Sequence, residues 1–409
     1  MTVLVKRMFY VVISVTVYFY PPAIAQQNAV EFPPLIDPDD IAYFFENDDL
    51  DGLHWALTNI FANSERVHID APPQKLPAQI VSRGGGLRYT TEYKLRHDLE
   101  QAEYLASHLS DPEQAKFFGE TIFPIFHGML DRIPALEELN GTNGLYPFTK
   151  EDFYEQGMGS VYNRALRLTD FEELKDANGK LIPLLNPDLD VDAIEKTMLS
   201  EGVVVIDNLL TLEALERIRQ VMLESTVFFQ TKMPQVFGGY VGAYIDDGLH
   251  DRILLQLAFE LYRKLPKIMK GHFLRYLWAY KYDSTLTGIN THADQAAVNV
   301  NIWLTPDDAS LDPDSGGLVV FTVKPPMDWD FEKFNTATDF VHETLLGPSG
   351  YANKTIPHRQ NRAVIFDSAF FHHTDSFKFK PGYENRRINL TLLYGKMRMA
   401  SATSTTNEL

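Results

Sequence analysis

The sequence predicts an α+β protein, mostly helical from residue 26 to about 195 and built on short strands from 196 to 400. Two observations carry this. In the first half apolar residues recur at spacings of three and four, the period of one helix face. In the second half they give way to brief β-branched or alternating runs divided by turn residues, as in sheets with two unlike faces.

The spacing predicts helices over 41–61 and 93–109. Ser110-Asp111-Pro112-Glu113 supplies a capping residue, an early proline and a first-turn acid. A further helix is therefore expected over 115–130, kinked at Pro124 and ended before Pro134. Asn140-Gly141-Thr142-Asn143-Gly144 and Asn178-Gly179 are turn clusters. Residues 202–207 read as a buried strand, 212–225 as an amphipathic helix capped by Thr211, and 252–265 as another helix. Strands are expected at 274–282, 297–304, 318–323, 363–366 and 388–394, enough for a double sheet or barrel of the jelly-roll kind. The loop-rich stretch 328–360 is placed by position as a substrate-side wall, and 401–409 as a disordered tail.

A chain of 409 residues is long enough for two ordinary domains. Its 45% hydrophobic and 12% aromatic content excludes a largely disordered protein. A net charge of -18 without a basic stripe argues against nucleic acid as a partner, because phosphates would be repelled. The absence of cysteine excludes disulfides, thiolate metal sites and cysteine nucleophiles, and fits an oxidising compartment.

Residues 1–25 read as a cleaved secretory signal. Lys6 and Arg7 precede an apolar run over 8–20, and Ala23-Ile24-Ala25 offers a cleavage site before Gln26. The run is too short to span a bilayer comfortably, so no stable membrane span is expected, although a signal-anchor topology stays open. Secretory, secreted or periplasmic localisation follows. Asn140-Gly141-Thr142 and Asn353-Lys354-Thr355 match glycosylation acceptors.

The chemistry sits in His292-Ala293-Asp294 and in His372, which follows the 363–366 strand. Side chains two apart on extended backbone point the same way, so His292 and Asp294 offer adjacent ligands. Two imidazoles and a carboxylate suit iron(II), covering one face of its octahedron and leaving the other open. An isolated H-x-D is also compatible with a surface loop. On the 297–304 strand, alternation puts Asn299, Asn301 and Trp303 on one face, either as a polar cavity wall or as a solvated surface.

Five features in order carry a family resemblance. They are Tyr282 on the strand before His292-Ala293-Asp294, then Asn299-Val300-Asn301-Ile302-Trp303-Leu304-Thr305, then Gly316-Gly317-Leu318. The strand Asn361-Arg362-Ala363-Val364-Ile365-Phe366-Asp367 follows and runs into His372, and Arg387-Ile388-Asn389-Leu390-Thr391 closes the set. Over about residues 275–396 the chain resembles the iron(II)- and 2-oxoglutarate-dependent dioxygenases, the superfamily that includes prolyl hydroxylases. The resemblance implies a double-stranded β-helix fold with His292, Asp294 and His372 as iron ligands. It implies 2-oxoglutarate and dioxygen as co-substrates, with release of succinate and carbon dioxide and hydroxylation of a small molecule or peptide. Arg387 would pair with the distal carboxylate of 2-oxoglutarate, Tyr282 would donate a hydrogen bond to it, and Asn299, Asn301 and Trp303 would line its pocket. Asp294 favours hydroxylation, because halogenating relatives carry a small residue there.

His372 rather than His373 matches the family pattern, and Arg387 rather than Arg386 shares a strand face with Asn389 and Thr391, so Arg386 is expected to point outward. His342 and His358 are expected at the surface. Phe237-Gly238-Gly239-Tyr240 and Gly84-Gly85-Gly86 lack the P-loop lysine and read as turns, the first as part of a substrate-covering loop. Asp312 to Gly316 lacks the closing glutamate of a calcium loop. Two other functions stay open: a cupin-like metalloprotein that does not use 2-oxoglutarate, and a non-catalytic jelly-roll binding module. The helical half could cap the barrel, bind substrate or make a dimer.

Overall fold

Residues 37–62 form two helices where spacing alone suggests one. α1 (Pro38–Glu46) and α2 (Leu50–Ala62) are parted by Asn47, Asp48 and Asp49, whose short polar side chains compete for backbone partners. Asp48 takes φ +51°, and Asp49 caps the second helix, accepting from the Gly52 amide at 2.8 Å. α3 (Glu92–His108) starts at a Thr91 cap, and α4 (Pro112–Phe117) starts at Asp111 and Pro112. One wide π-type turn, Phe118–Ile122, leads into α5 (Phe123–Leu130) and accommodates Pro124. α6 (Val191–Glu201), α7 (Leu212–Glu224) and α8 (Arg252–Lys264) follow.

The structure is a computed structural model that describes residues 37–64, 66–67, 89–134, 145–172, 174–176, 178, 180–232, 239–283, 288–326, 328–329, 333 and 337–397. The expected signal segment, the tail after 400, the Asn140 acceptor and the glycines at 84–86 lie outside the described residues. No helix among the described residues is long and apolar enough to cross a membrane.

β1 (Tyr89–Thr90) and β2 (Tyr146–Pro147) make a small ladder beside the helices. The other strands are β3 (Val203–Ile206), β4 (Gln230–Lys232), β5 (Tyr240–Tyr244), β6 (Leu274–Tyr282), β7 (Val298–Trp303), β8 (Leu318–Phe321), β9 (Asn353–Ile356), β10 (Ala363–Asp367), β11 (His372–Thr374) and β12 (Arg387–Tyr394). They form a seven-stranded antiparallel sheet in the order β3-β10-β7-β12-β6-β5-β4 and a three-stranded antiparallel sheet in the order β11-β8-β9. This is a double-stranded β-helix, the jelly-roll the strand pattern suggests, with helices before it. β9 falls inside 328–360, so part of that stretch is sheet rather than loop; its first three residues are polar and at least partly exposed, which hides the strand from a hydrophobicity reading.

Alternation divides the large sheet chemically. Val298, Val300, Ile302, Ile365, Ile388, Leu390 and Leu392 face outward into one apolar cluster that also contains Ile41, Leu57 and Phe61 of the first helices and Ile218 and Leu257 of the later ones. α1 and α2 therefore back the sheet and share its core, while α3 and α5 bury Leu95, Leu105, Phe126 and Met129 in a separate apolar cluster. Each fully buried side chain of this size contributes about 1.5–3 kcal/mol. On the inner face Val203, Val364, Phe366 and Trp303 pack against Leu318, Val320 and Ile356 of the small sheet. That leaves the inner faces of β12, β6 and β5 to the site.

Arg386 points away from the interior, as expected, and is buried between the helices and the sheet: its guanidinium meets Glu100 of α3 at 2.8 Å and Asp283 at 3.4 Å. Arg386→Ala removes the cation from two partly exposed carboxylates, so a loss of about 1–2 kcal/mol is expected in denaturant unfolding. An unchanged midpoint would show the pair to be dispensable.

Candidate metal and co-substrate site

β11 delivers one histidine and the segment before β7 delivers the other ligands. His292 and His372 form an isolated antiparallel bridge: the His292 amide donates to the His372 carbonyl at 3.0 Å and the His372 amide donates back at 2.8 Å. This holds the two imidazoles side by side, with ring centroids 4.4 Å apart. The Asp294 amide donates to the Ser368 carbonyl at 3.1 Å, which turns the carboxylate to the same point. The Asp294 carboxylate lies 3.5 Å from His292 Nε2 and 3.4 Å from His372 Nε2. One ligand atom from each residue lies within 4.8 Å of the others. His373, the next residue along the strand, turns away and puts its ring against Phe321.

The far nitrogens prepare the site. His292 Nδ1 lies 2.8 Å from the Asn290 carbonyl and His372 Nδ1 lies 3.1 Å from the Phe370 carbonyl. A protonated Nδ1 donating to a carbonyl leaves the Nε2 lone pair free for a metal. Burial disfavours charge on His292, but Asp294 outweighs it and holds that imidazole above its ordinary value. Burial, aided by His292, pushes His372 down against the pull of Asp294. Burial would raise Asp294, yet hydrogen bonds from both histidines hold it far below the usual carboxylate range. An ionised carboxylate flanked by two imidazoles on one face suits a divalent iron, so the residues fit the metal.

Behind the carboxylate runs a line of amides. Asn299 Nδ2 donates to Asp294 Oδ2 at 2.6 Å, and Asn301 Nδ2 donates to Asn299 Oδ1. Asn301 Oδ1 in turn accepts from Asn389 Nδ2 at 2.7 Å and Thr391 Oγ1 at 3.0 Å. Asn299 and Asn301 are thus a buried wall rather than a solvated surface, and they fix the carboxylate's orientation. Asn299→Ala should weaken metal affinity about 10–100-fold, the usual cost of losing such a partner. Titration with a metal-sensitive dye would measure this, and an unaltered affinity would count against the support role.

Arg387 heads the same face of β12, opposite Tyr282 of β6. It is 1% exposed; Nε donates to the Gly316 carbonyl at 2.6 Å and Nη2 to the Gly317 carbonyl at 3.0 Å. Nη1 has no hydrogen-bond partner, and no carboxylate among the described residues forms an ion pair with the guanidinium, although Asp375 is near enough to favour its charge. Gly317 has to be glycine for this approach, because a Cβ there would lie 1.9 Å from the Ile356 carbonyl oxygen. A buried cation with a free N–H fits a dicarboxylate whose far end is anionic. Tyr282 lies under the guanidinium at 4.8 Å; burial pushes its phenol up to about 12 although Arg387 opposes this, so it stays a donor. Trp303 completes the wall, with Nε1 also unpartnered.

Two residues escaped the sequence reading. Tyr240, paired with Tyr282 across β5 and β6, is buried close enough to feel the Asp294 charge. The aromatic alternation Tyr276, Trp278, Tyr280, Tyr282 could have signalled that wall. His358 is not at the surface: it is buried between Trp303 and Phe379. Its neighbours Pro357 and Arg359 gave no local hint. His342 is partly buried, with Nε2 3.1 Å from Thr291 Oγ1.

Fold and site together define a double-stranded β-helix protein whose two histidines and one aspartate converge beside a buried arginine. No family model matches the chain, and no curated protein matches it. Among solved structures it is similar to an α-ketoglutarate-dependent epimerase, SnoN, from nogalamycin biosynthesis, with 12% identity over 50% of this chain and 83% of that one, TM-score 0.37. A prolyl-4-hydroxylase from Pseudomonas putida shows 12% identity over 51% and 100%, TM-score 0.33. A 2OG-Fe(II) oxygenase family oxidoreductase from Burkholderia pseudomallei shows 12% identity over 56% and 98%, TM-score 0.35. Likeness at this level is slight, and the chemistry rests on this chain's own residues.

Proposed function

We propose that this protein is an iron(II)- and 2-oxoglutarate-dependent dioxygenase that hydroxylates a small-molecule or peptide substrate and releases succinate and carbon dioxide. The observation that carries the reading is Arg387, a buried guanidinium with a spare N–H and no ion-pair partner among the described residues, in the same interior as the His292, Asp294 and His372 cluster. Neither a metalloprotein without a dicarboxylate nor a passive binding module needs that cation.

Iron(II), when bound, supplies the redox chemistry that couples dioxygen to oxidation of a carbon–hydrogen bond. His292, Asp294 and His372 would hold it from one face. Arg387 would receive the distal carboxylate of 2-oxoglutarate, and the Tyr282 hydroxyl would donate to it. Asn299 keeps Asp294 in its ligating orientation. Tyr240, Tyr280 and Trp278 line the neighbouring inner face, where their rings would exclude water from the reacting groups. The balance is one 2-oxoglutarate, one dioxygen and one C–H in, and succinate, carbon dioxide and C–OH out. We place the protein in a secretory or periplasmic compartment, on the residue 1–25 pattern and the absence of cysteine; the N-terminus of the mature chain, read by mass spectrometry, would test this.

Anaerobic titration with iron(II) and then 2-oxoglutarate tests the reading. A visible charge-transfer band that needs both additions is expected. Iron binding with no band on adding the oxo acid would overturn the co-substrate assignment.

A further inference from the structure

Around Arg387 the interior is closed by a collar of rings. Tyr282 and Phe377 have centroids 5.6 Å apart, Phe377 and Phe379 6.4 Å, Phe379 and His358 5.1 Å, and His358 and Trp303 5.7 Å. The guanidinium carbon lies 4.8 Å from the Tyr282 ring, 5.8 Å from Trp303 and 5.9 Å from Phe377. Within the collar His358 is the odd member. It is 6% exposed, yet neither ring nitrogen has a hydrogen-bond partner.

Such a histidine is costly unless something completes it. A neutral imidazole brings one donor and one acceptor, and each buried polar atom left unmet costs about 1–3 kcal/mol. Burial, with Arg387 next to it, pushes His358 down to about 3, so the ring is neutral across the physiological range. Trp303 Nε1 and Arg387 Nη1 are unmet in the same neighbourhood. Native interiors leave few such groups, so several of them around one cation point to a ligand rich in acceptor oxygens.

We infer that His358 is a co-substrate-binding residue: its ring N–H, with the Trp303 indole N–H, completes around Arg387 a receptor for the distal carboxylate of a dicarboxylic 2-oxo acid. This rests on the co-substrate reading above and adds a basis for selectivity. An acid of similar chain length that ends in a methyl group would meet the same metal ligands but leave the collar's donors unmet. Discrimination against it would come from the desolvated groups left behind.

The test uses His358→Phe, which keeps a ring between Trp303 and Phe379 but removes both nitrogens. Calorimetric titration of the manganese-loaded protein compares 2-oxoglutarate with 2-oxobutyrate. The variant is expected to bind 2-oxoglutarate roughly tenfold more weakly, the scale of one hydrogen bond to a charged group, and 2-oxobutyrate as the wild type does. His358→Gln, which keeps an N–H, should recover most of the lost affinity. Melting of the metal-free variants checks that they fold. Unchanged 2-oxoglutarate affinity in His358→Phe would overturn the inference, as would equal weakening of both acids, which marks a packing role. A wild-type protein that takes up manganese but neither acid would overturn the co-substrate reading, and this inference with it.

Discussion

Replacing Arg387 with methionine should weaken 2-oxoglutarate binding by roughly a hundredfold or more while leaving the metal-free protein nearly as stable as before. The first effect follows from losing a charge-assisted contact in a dry pocket, where each hydrogen bond to a charged group contributes about 1.5–3 kcal/mol. The second is a balance. The Gly316 and Gly317 carbonyls lose their donors, which costs stability. Against this, a buried cation with no ion-pair partner among the described residues disappears, and an apolar side chain of similar reach is often neutral or better there. Titration of the metal-loaded protein reads the first and thermal melting without ligand reads the second. A marked fall in melting temperature with 2-oxoglutarate affinity preserved would make Arg387 a structural residue and remove the main support for a dicarboxylate.

Asp294→Ala should abolish iron uptake at micromolar metal and, with it, the two-component absorption band. The carboxylate is the anionic member of the ligand set and sits between the two imidazoles, so its loss leaves two neutral donors and an Asn299 amide without its acceptor. The same variant has a proton signature that needs no metal. Asp294 is what holds His292 above its ordinary value, so without it burial prevails and the imidazole should titrate at lower pH. Proton resonances of the His292 ring, followed across pH in metal-free protein, would show this. A His292 titration unmoved by Asp294→Ala would mean that the three side chains do not meet in solution.

Much of the site could be read locally. His292 and Asp294 share a side because strand period is two, and the same period places Asn299, Asn301 and Trp303 on one face of β7 and Arg387, Asn389 and Thr391 on one face of β12. Several of the strands that escaped notice are short, like β4 and β11, or polar, like β9, and so few residues carry little periodicity; β5 is longer but is interrupted by Gly242. The break between α1 and α2 was legible in principle, since Asn47-Asp48-Asp49 has caps written into it, but the apolar spacing runs across it. The burial of His358 and Arg386 is hidden for a different reason. Each is polar, and each is buried only because distant residues cover it: Trp303 and Phe379 for the first, Glu100 of α3 for the second.

By itself the sequence determined which residue types recur on which face, and hence a helical first half, a double sheet and the inward set His292, Asp294, Asn299, Asn301, Arg387. Those are consequences of backbone period, which acts over neighbours. Only the tertiary structure decided that His372 rather than His373 meets His292 across a bridge, that α1 and α2 back the sheet instead of capping it, and that Arg387 has an N–H without a partner. Partners and their absence are set by long-range antiparallel pairing and by what remains buried once every element has packed, and no local pattern encodes either.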